Sequence, residues 1–307
     1  MRNTTKLRKY LERDKTLVVP CCFDALTAKM IDKAGFEAVG ITGSGVSLFL
    51  LGMPDAGFTT MTEVVRTARY ISGAVRVPVV ADADTGYGNA LNVIRAVKEF
   101  EKAGVAGVHI EDQVAPKRCG HIAGKIIIPV EEMIGKIRAA LESREDKDFV
   151  IIARTDARGA VGGGVNEAIK RANAYANAGA DAILIDGINS VEELKLYPKR
   201  IKAPLDVGIT GLTPRLSIQE LEQFGWRMVS FPGILSRACA KASWDWAHRL
   251  KRKGTQALLD LEEELRDHPI GDYYGFTGFH EVRRLEEKYL PKTFVRSKYE
   301  KTIGYRP

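Results

Sequence analysis

Residues 117–121 read Lys-Arg-Cys-Gly-His, a thiol set between two cations and a histidine in a chain with four cysteines. Lys, Arg and protonated His stabilise a thiolate, so Cys119 is expected to ionise more easily than an ordinary cysteine. The alternative, a small apolar filler in a loop, fits poorly with its polar and flexible neighbours. Acids precede it. Asp82-Ala-Asp84 closes one β-branched stretch and Glu111-Asp112 closes the next. Side chains two apart on a strand share a face, so Asp82 and Asp84 can converge on one point, with Glu111 arriving from an adjacent strand. An oxygen-rich set with few nitrogen or sulfur donors suits Mg²⁺ or Mn²⁺. Helix N-capping explains one such aspartate but not three acids at neighbouring strand ends. Arg154-Thr-Asp156 offers an arginine able to grip a carboxylate through two hydrogen bonds, or an internal ion pair with Asp156. Thr42-Gly43-Ser44-Gly45 is a glycine-rich turn whose N–H groups can hold a carboxylate, although many strand-to-helix turns are Gly-rich for steric reasons alone.

Positioning these residues takes a repeated scaffold. Short β-branched runs at Thr16–Pro20, Glu37–Thr42, Val77–Asp82, Gly107–Asp112, Asp148–Arg154, Asp181–Asp186, Pro204–Val207 and Arg227–Pro232 read as strands. Amphipathic stretches such as Asp24–Lys33, Ala90–Lys102, Val130–Leu141, Asn166–Asn177 and Ser217–Gln223 alternate with them. Gly35, Gly104, Gly179 and Gly225 each stand where a left-handed helix stop is needed. Eight strand–helix units predict a parallel (β/α)8 TIM barrel, whose site forms at the carboxyl ends of the strands. An open doubly wound sheet is the alternative, but no Gly-x-Gly-x-x-Gly turn follows the first strand. The barrel core is expected over residues 1–235. Residues 236–307 are expected to form surplus helices (Ser236–Lys253, Thr255–Asp267, Gly278–Tyr289) and a basic solvent-exposed tail, Arg296–Arg306, packing on the barrel or on a neighbouring subunit.

Composition narrows the partners. Of 307 residues, 45% are hydrophobic and 28% charged, which is globular rather than disordered. The net charge of +7 comes from Lys and Arg mixed with Glu along helices, so it reads as solvated faces with a few cations kept for an anionic substrate. No nucleic acid or membrane partner is expected, since no apolar run reaches bilayer length. The charged segment Met1–Lys15 lacks the apolar core of a secretory signal. Cys21, Cys22, Cys119 and Cys239 fit no zinc spacing, and a reducing cytoplasm is the expected setting.

Together these motifs resemble the isocitrate lyase/phosphoenolpyruvate mutase superfamily, in its 2-methylisocitrate lyase-like branch, from about Pro20 to Pro291. The carriers are Thr42-Gly-Ser-Gly45 followed by Leu51-Gly-Met-Pro-Asp55, then Asp82-Ala-Asp-Thr-Gly-Tyr-Gly88 and His109-Ile-Glu-Asp-Gln113. Lys117-Arg-Cys-Gly-His121, Ala153-Arg-Thr-Asp-Ala157 and Phe231-Pro232 with Arg237 complete the set. The resemblance implies Mg²⁺ held by Asp82 and Asp84, with Glu111 acting through water. It implies that Thr42, Gly43, Ser44, Gly120, Arg154 and Arg237 contact the substrate. Asp55 would orient the site, and Cys119, with His121 beside it, would be the acid/base residue on a mobile loop flanked by Gly120 and Gly124. The implied reaction is cleavage of a 2-hydroxy di- or tricarboxylate, a substituted malate or a 2-methylisocitrate-like acid, to a 2-oxo acid such as pyruvate and a second carboxylate. Oxaloacetate hydrolysis or decarboxylation, and carboxyphosphonoenolpyruvate mutase-like P–C chemistry, are the alternatives. The resemblance also implies a homotetramer that exchanges C-terminal helices. Three positions depart from the pattern, since Gly40, Gly187 and Gly208 stand where relatives carry Tyr, Glu and Asn. A roomier or differently polar pocket is the expectation, unless Asp186 or Asp206 compensates.

Overall fold

The computed structural model of the chain describes residues 1–300 and 302–306. Eight strands, β1 (Leu17–Cys22), β2 (Val39–Ile41), β3 (Val79–Asp82), β4 (Gly107–Glu111), β5 (Val150–Thr155), β6 (Ala182–Ile185), β7 (Leu205–Gly208) and β8 (Met228–Phe231), close into a barrel in sequence order. Neighbouring strands are parallel, and β1 pairs with β8 to complete the circle. The expected (β/α)8 TIM barrel is the observed fold. Its register sets Asp82 beside His109 and Glu111 beside Arg154, so the polar strand ends stand at one rim.

The helices are α1 (Asn3–Glu12), α2 (Ala25–Lys33), α3 (Gly43–Val46), α4 (Met61–Ala74), α5 (Ala90–Lys102), α6 (Val130–Ser143), α7 (Val165–Asn177), α8 (Val191–Arg200), α9 (Ile218–Phe224) and α10 (Ile234–Lys253). Reciprocal side-chain caps start several of them, Asp24 with Thr27 on α2, Thr60 with Glu63 on α4 and Ser217 with Glu220 on α9. Gly35, Gly104, Gly179 and Gly225 all take positive φ, as the helix-stop reading requires. Helix α1 lies within the segment read only as a charged start. Its Leu7 and Leu11, one turn apart, are buried in a cluster with Leu17, Val80, Val150 and Met228. Burying each leucine is worth about 1.5–3 kcal/mol, enough to seat a helix whose other positions are polar.

The chain divides into two compact units, Met1–Ala238 and Cys239–Pro307. The second contains α11 (Gln256–Leu265), α12 (Tyr273–Thr277), α13 (Phe279–Tyr289) and α14 (Lys292–Glu300). The start of the basic segment expected to be a tail is therefore helical, and Arg296 and Glu300 pair one turn apart along it at 2.7 Å. Among the described residues no helix is long and apolar enough to cross a membrane.

Candidate active site

At the carboxyl rim the barrel opens into a cavity of about 80 Å³, lined by Thr42, Ser44, Asp55, Asp82, His109, Cys119, Gly120, His121, Arg154 and Asp186 among others. All eight strands or the segments after them contribute, which is how a barrel gathers distant residues. Of the residues singled out in the sequence, Gly43, Asp84, Glu111 and Arg237 are not on the cavity wall. Gly43 stands where a side chain would crowd Asp82, its Cβ falling 2.7 Å from Asp82 Oδ2 and 3.4 Å from Asp84 Oδ1. Arg237 opens α10 beside Gly233, and its charge acts on the His121 ring. It does not reach the cavity wall as a substrate contact would.

Asp82 ends β3 and Asp84 follows it in a turn. Asp84 adopts positive φ (47°), an uncommon conformation that aspartate tolerates better than most residues, and its N–H donates to Asp82 Oδ1 at 3.0 Å. Lys117 Nζ lies 2.6 Å from Asp55 Oδ1 and 2.7 Å from Asp84 Oδ1. Burial pushes the Asp82 carboxyl up, but Lys117, Arg154 and His109 outweigh it and hold that group below its ordinary range. Asp84 is pushed up to about 6 by burial, with Asp82 and Asp55 adding to the rise. Burial drives Glu111 well up, and neither of its buried carboxylate oxygens has a hydrogen-bond partner.

Among the described residues no three Asp, Glu, His or Cys side chains close round one point. Cations of the chain separate them, Lys117 on Asp84 and Arg154 Nη1 at 3.3 Å from Glu111 Oε2. The donor set still fits a small hard cation. Two carboxylates converge beside a backbone that only glycine allows, neither buried Glu111 oxygen has a hydrogen-bond partner, and burial raises Asp84 to about 6 despite Lys117.

Two expectations about charge need correction. Arg154 does not present a free fork to a substrate. Its Nε and Nη2 bond Asp156 at 2.9 and 3.0 Å, Nη2 lies 3.2 Å from Asp186, and Nη1 is on Glu111. The internal pair with Asp156 is the one present. Nor is Cys119 easily ionised. Burial pushes its thiol up, and the His121 backbone N–H, Arg154 and Lys117 offset this only in part. Sequence neighbours suggested a thiolate because adjacency says nothing of desolvation. A protonated thiol can give up a proton, which suits an acid better than a nucleophile. Its own N–H donates to Asp55 O at 3.0 Å. The imidazole of His121 is held below its usual range mainly by burial, and its Nδ1 is buried with no partner.

Three residues take roles that the sequence reading did not give them. His109 Nε2 lies 3.1 Å from Asp206 Oδ2, and Ser230 Oγ donates to Asp206 Oδ1 at 2.9 Å. Asp206 is fully buried and orients the imidazole on the cavity wall. Inward positions of β4, β7 and β8 were the available signal. The third is Lys125, buried beside Asp156 and Asp186.

The expectation of a roomier pocket is overturned at two of the three glycines. A Cβ at Gly40 would overlap Cys21 Sγ, so the thiol of β1 already fills that space. Gly187 (φ 80°) is absent from the cavity wall and faces Arg158 and Gly159. Gly208 lies on the cavity wall, and a Cβ there would stand 3.3 Å from the Thr210 methyl group. Of the two acids named as possible compensation, Asp186 lines the cavity, while Asp206 is buried behind His109 and Ser230.

The phosphoenolpyruvate phosphomutase family model matches residues 7–251. The chain belongs to the phosphoenolpyruvate mutase/isocitrate lyase superfamily. Within that superfamily it is 42% identical over 292 residues to 2,3-dimethylmalate lyase of Eubacterium barkeri, covering 94% of this chain and 99% of the relative. It is 39% identical over 282 residues to 2-methylisocitrate lyase of Aeropyrum pernix, covering 91% and 89%. A crystal structure of 2,3-dimethylmalate lyase superposes with a TM-score of 0.84 at 32% identity, covering 99% of each chain. Phosphonopyruvate hydrolase in complex with oxalate and Mg²⁺ superposes with a TM-score of 0.82 at 30% identity, covering 95% of this chain and 100% of that one.

Proposed function

We propose that this carbon–carbon lyase cleaves an alkyl-substituted malate to a 2-oxo acid such as pyruvate and a second carboxylate, with a divalent cation, in the cytoplasm, as a homotetramer. The observation that carries the reading is the small cavity that the Cys119-Gly120-His121 loop shares with Asp82 and the Thr42–Ser44 turn. A cavity this compact, about 80 Å³, favours the smaller diacid with short branches over the larger branched tricarboxylate. Likeness to a 2,3-dimethylmalate lyase over nearly the whole chain supports the same choice.

Asp82 and Asp84, with Glu111 behind them, would hold Mg²⁺ or Mn²⁺. When bound, the cation supplies positive charge where negative charge gathers on the substrate oxygens. The Thr42–Ser44 turn receives the carboxylate next to the hydroxyl carbon. The hydroxyl proton passes to a carboxylate of the wall, where Asp55 and Asp186 are available. The O–H electron pair becomes the new C=O bond, and the adjacent C–C bond breaks. Its electron pair stays on the departing carbon, which the Cys119 S–H protonates. His109, fixed by Asp206, and neutral His121 offer hydrogen bonds to the oxygens around that centre.

Side-by-side turnover of malate, 2-methylmalate, 2,3-dimethylmalate and 2-methylisocitrate with Mg²⁺ tests the reading. We expect a substituted malate to have the highest kcat/KM, by about tenfold or more, since one misfitted group costs about 1–3 kcal/mol. A higher kcat/KM for 2-methylisocitrate than for every substituted malate overturns it.

A further inference from the structure

The segment carrying Cys119 is fastened at several points, and one of them has no role in the chemistry above. At the near end Gln113 clamps the backbone of Arg118, donating from Nε2 to its O at 2.9 Å and accepting from its N at 2.9 Å. At the far end the Lys125 backbone is tied to the connection after β5, with Val161 N donating to Lys125 O at 3.0 Å. From that fixed base the Lys125 side chain turns back toward the loop tip. Its ammonium donates to Gly120 O, one peptide from the thiol, and lies 3.1 Å from Asp156 Oδ1 and 3.6 Å from Asp186 Oδ1. It is 2% exposed.

The electrostatics of this landing are unfavourable without that cation. Gly120 rests so close to Asp186 that a Cβ there would overlap its carboxylate. The loop carbonyl and the Asp156 and Asp186 carboxylates are thus gathered round the one Lys125 ammonium. Arg154 neutralises both acids from the cavity side but makes no hydrogen bond to the loop carbonyl. A carbonyl dipole pointing at carboxylates is repelled; an ammonium between them makes all three contacts attractive.

We propose that Lys125 is a positioning residue, which docks the tip of the Cys119 loop on the Asp156–Asp186 pair and so sets the thiol over the cavity. The inference rests on the reading of Cys119 as proton donor, but its test needs no turnover. Full-length protein is treated with iodoacetamide without ligand, and alkylation is followed at each cysteine by peptide mass spectrometry. Cys21 and Cys22 are buried in β1 and report on the integrity of the barrel. In Lys125→Met, Cys119 should react at least about tenfold faster than in the parent, because losing one member of a buried charged cluster strongly disfavours the docked state. Cys21 and Cys22 should stay unreactive. Lys125→Gln retains a donor for Gly120 O without the charge and should fall between. With an active substrate, kcat should drop while KM stays within about threefold, the pattern of a group that acts after binding. Unchanged Cys119 alkylation in both variants overturns the proposal. So does simultaneous exposure of Cys21 and Cys22 in both, which would make Lys125 a structural cation of the barrel. Absence of lyase turnover with the expected alkylation pattern would count against the proposed reaction and leave the docking role standing.

Discussion

At the residue scale the site depends on keeping one proton in place and one positive charge supplied. Burial raises the Cys119 thiol, so the group enters catalysis protonated. Alkylation needs the thiolate, so its rate should rise with pH through a midpoint above the roughly 8.5 of a free cysteine. A midpoint below that value would restore the thiolate expected from the sequence. Cys119→Ser keeps the shape but donates a proton less readily. Its kcat should fall about 10²–10⁴-fold, while a 2-oxo acid still binds by calorimetry. Asp84 calls for a different variant. Its left-handed backbone makes alanine a confounded choice, whereas Asp84→Asn removes the charge and tolerates that conformation. Turnover should vanish in this variant with little change in melting temperature. In the parent, chelator should abolish activity and Mg²⁺ restore it. Full turnover after exhaustive chelation would refute the metal assignment.

Between residue and barrel stand the elements, where the sequence was most legible. The glycine stops and β-branched runs placed all eight strands, with ends off by one or two residues. Periodicity reports burial, whereas a strand ends where its ladder hydrogen bonds end. Several helices escaped, two of them for identifiable reasons. In α1 two leucines among charged residues carry all the burial, and α8 contains Pro198, which reads as a stop. The candidate site was legible at Asp82, the last residue of β3, whereas Asp84 lies beyond the strand and reaches Asp82 through a left-handed turn that alternation does not encode. It was not legible where the chain folds back on itself. Lys117 reaches Asp55 and Asp84, and Lys125 reaches Asp156 and Asp186, through loop paths that no local pattern encodes. The same limit misjudged Gly40. What fills the space beside it is Cys21, its partner across the β1–β2 ladder, and only tertiary pairing reveals that.

For the molecule as a whole, the helix after β8 poses the main question. In a (β/α)8 barrel each helix covers the outside of the strands it connects. Here Ser236 is the buried residue of the twenty in α10, while Trp244 and Leu250 are 67% and 59% exposed. Beside β1 and β8 the barrel's own surface has an apolar groove lined by Val18, Pro20, Met30, Phe36, Ile218 and Phe231. An apolar groove and large exposed apolar side chains on a helix each mark protein contacts. If copies exchange these helices, both are satisfied without any further partner. Light scattering at micromolar protein should then give a mass near four times the 33.8 kDa chain. Trp244→Asp places a charge in the exchanged contact, and burying an unpaired charge is costly, so this variant should shift toward smaller species and lose thermal stability. A parent enzyme that runs as a monomer with full turnover would show that the groove is covered in some other way, and the tetramer proposal would fall with it.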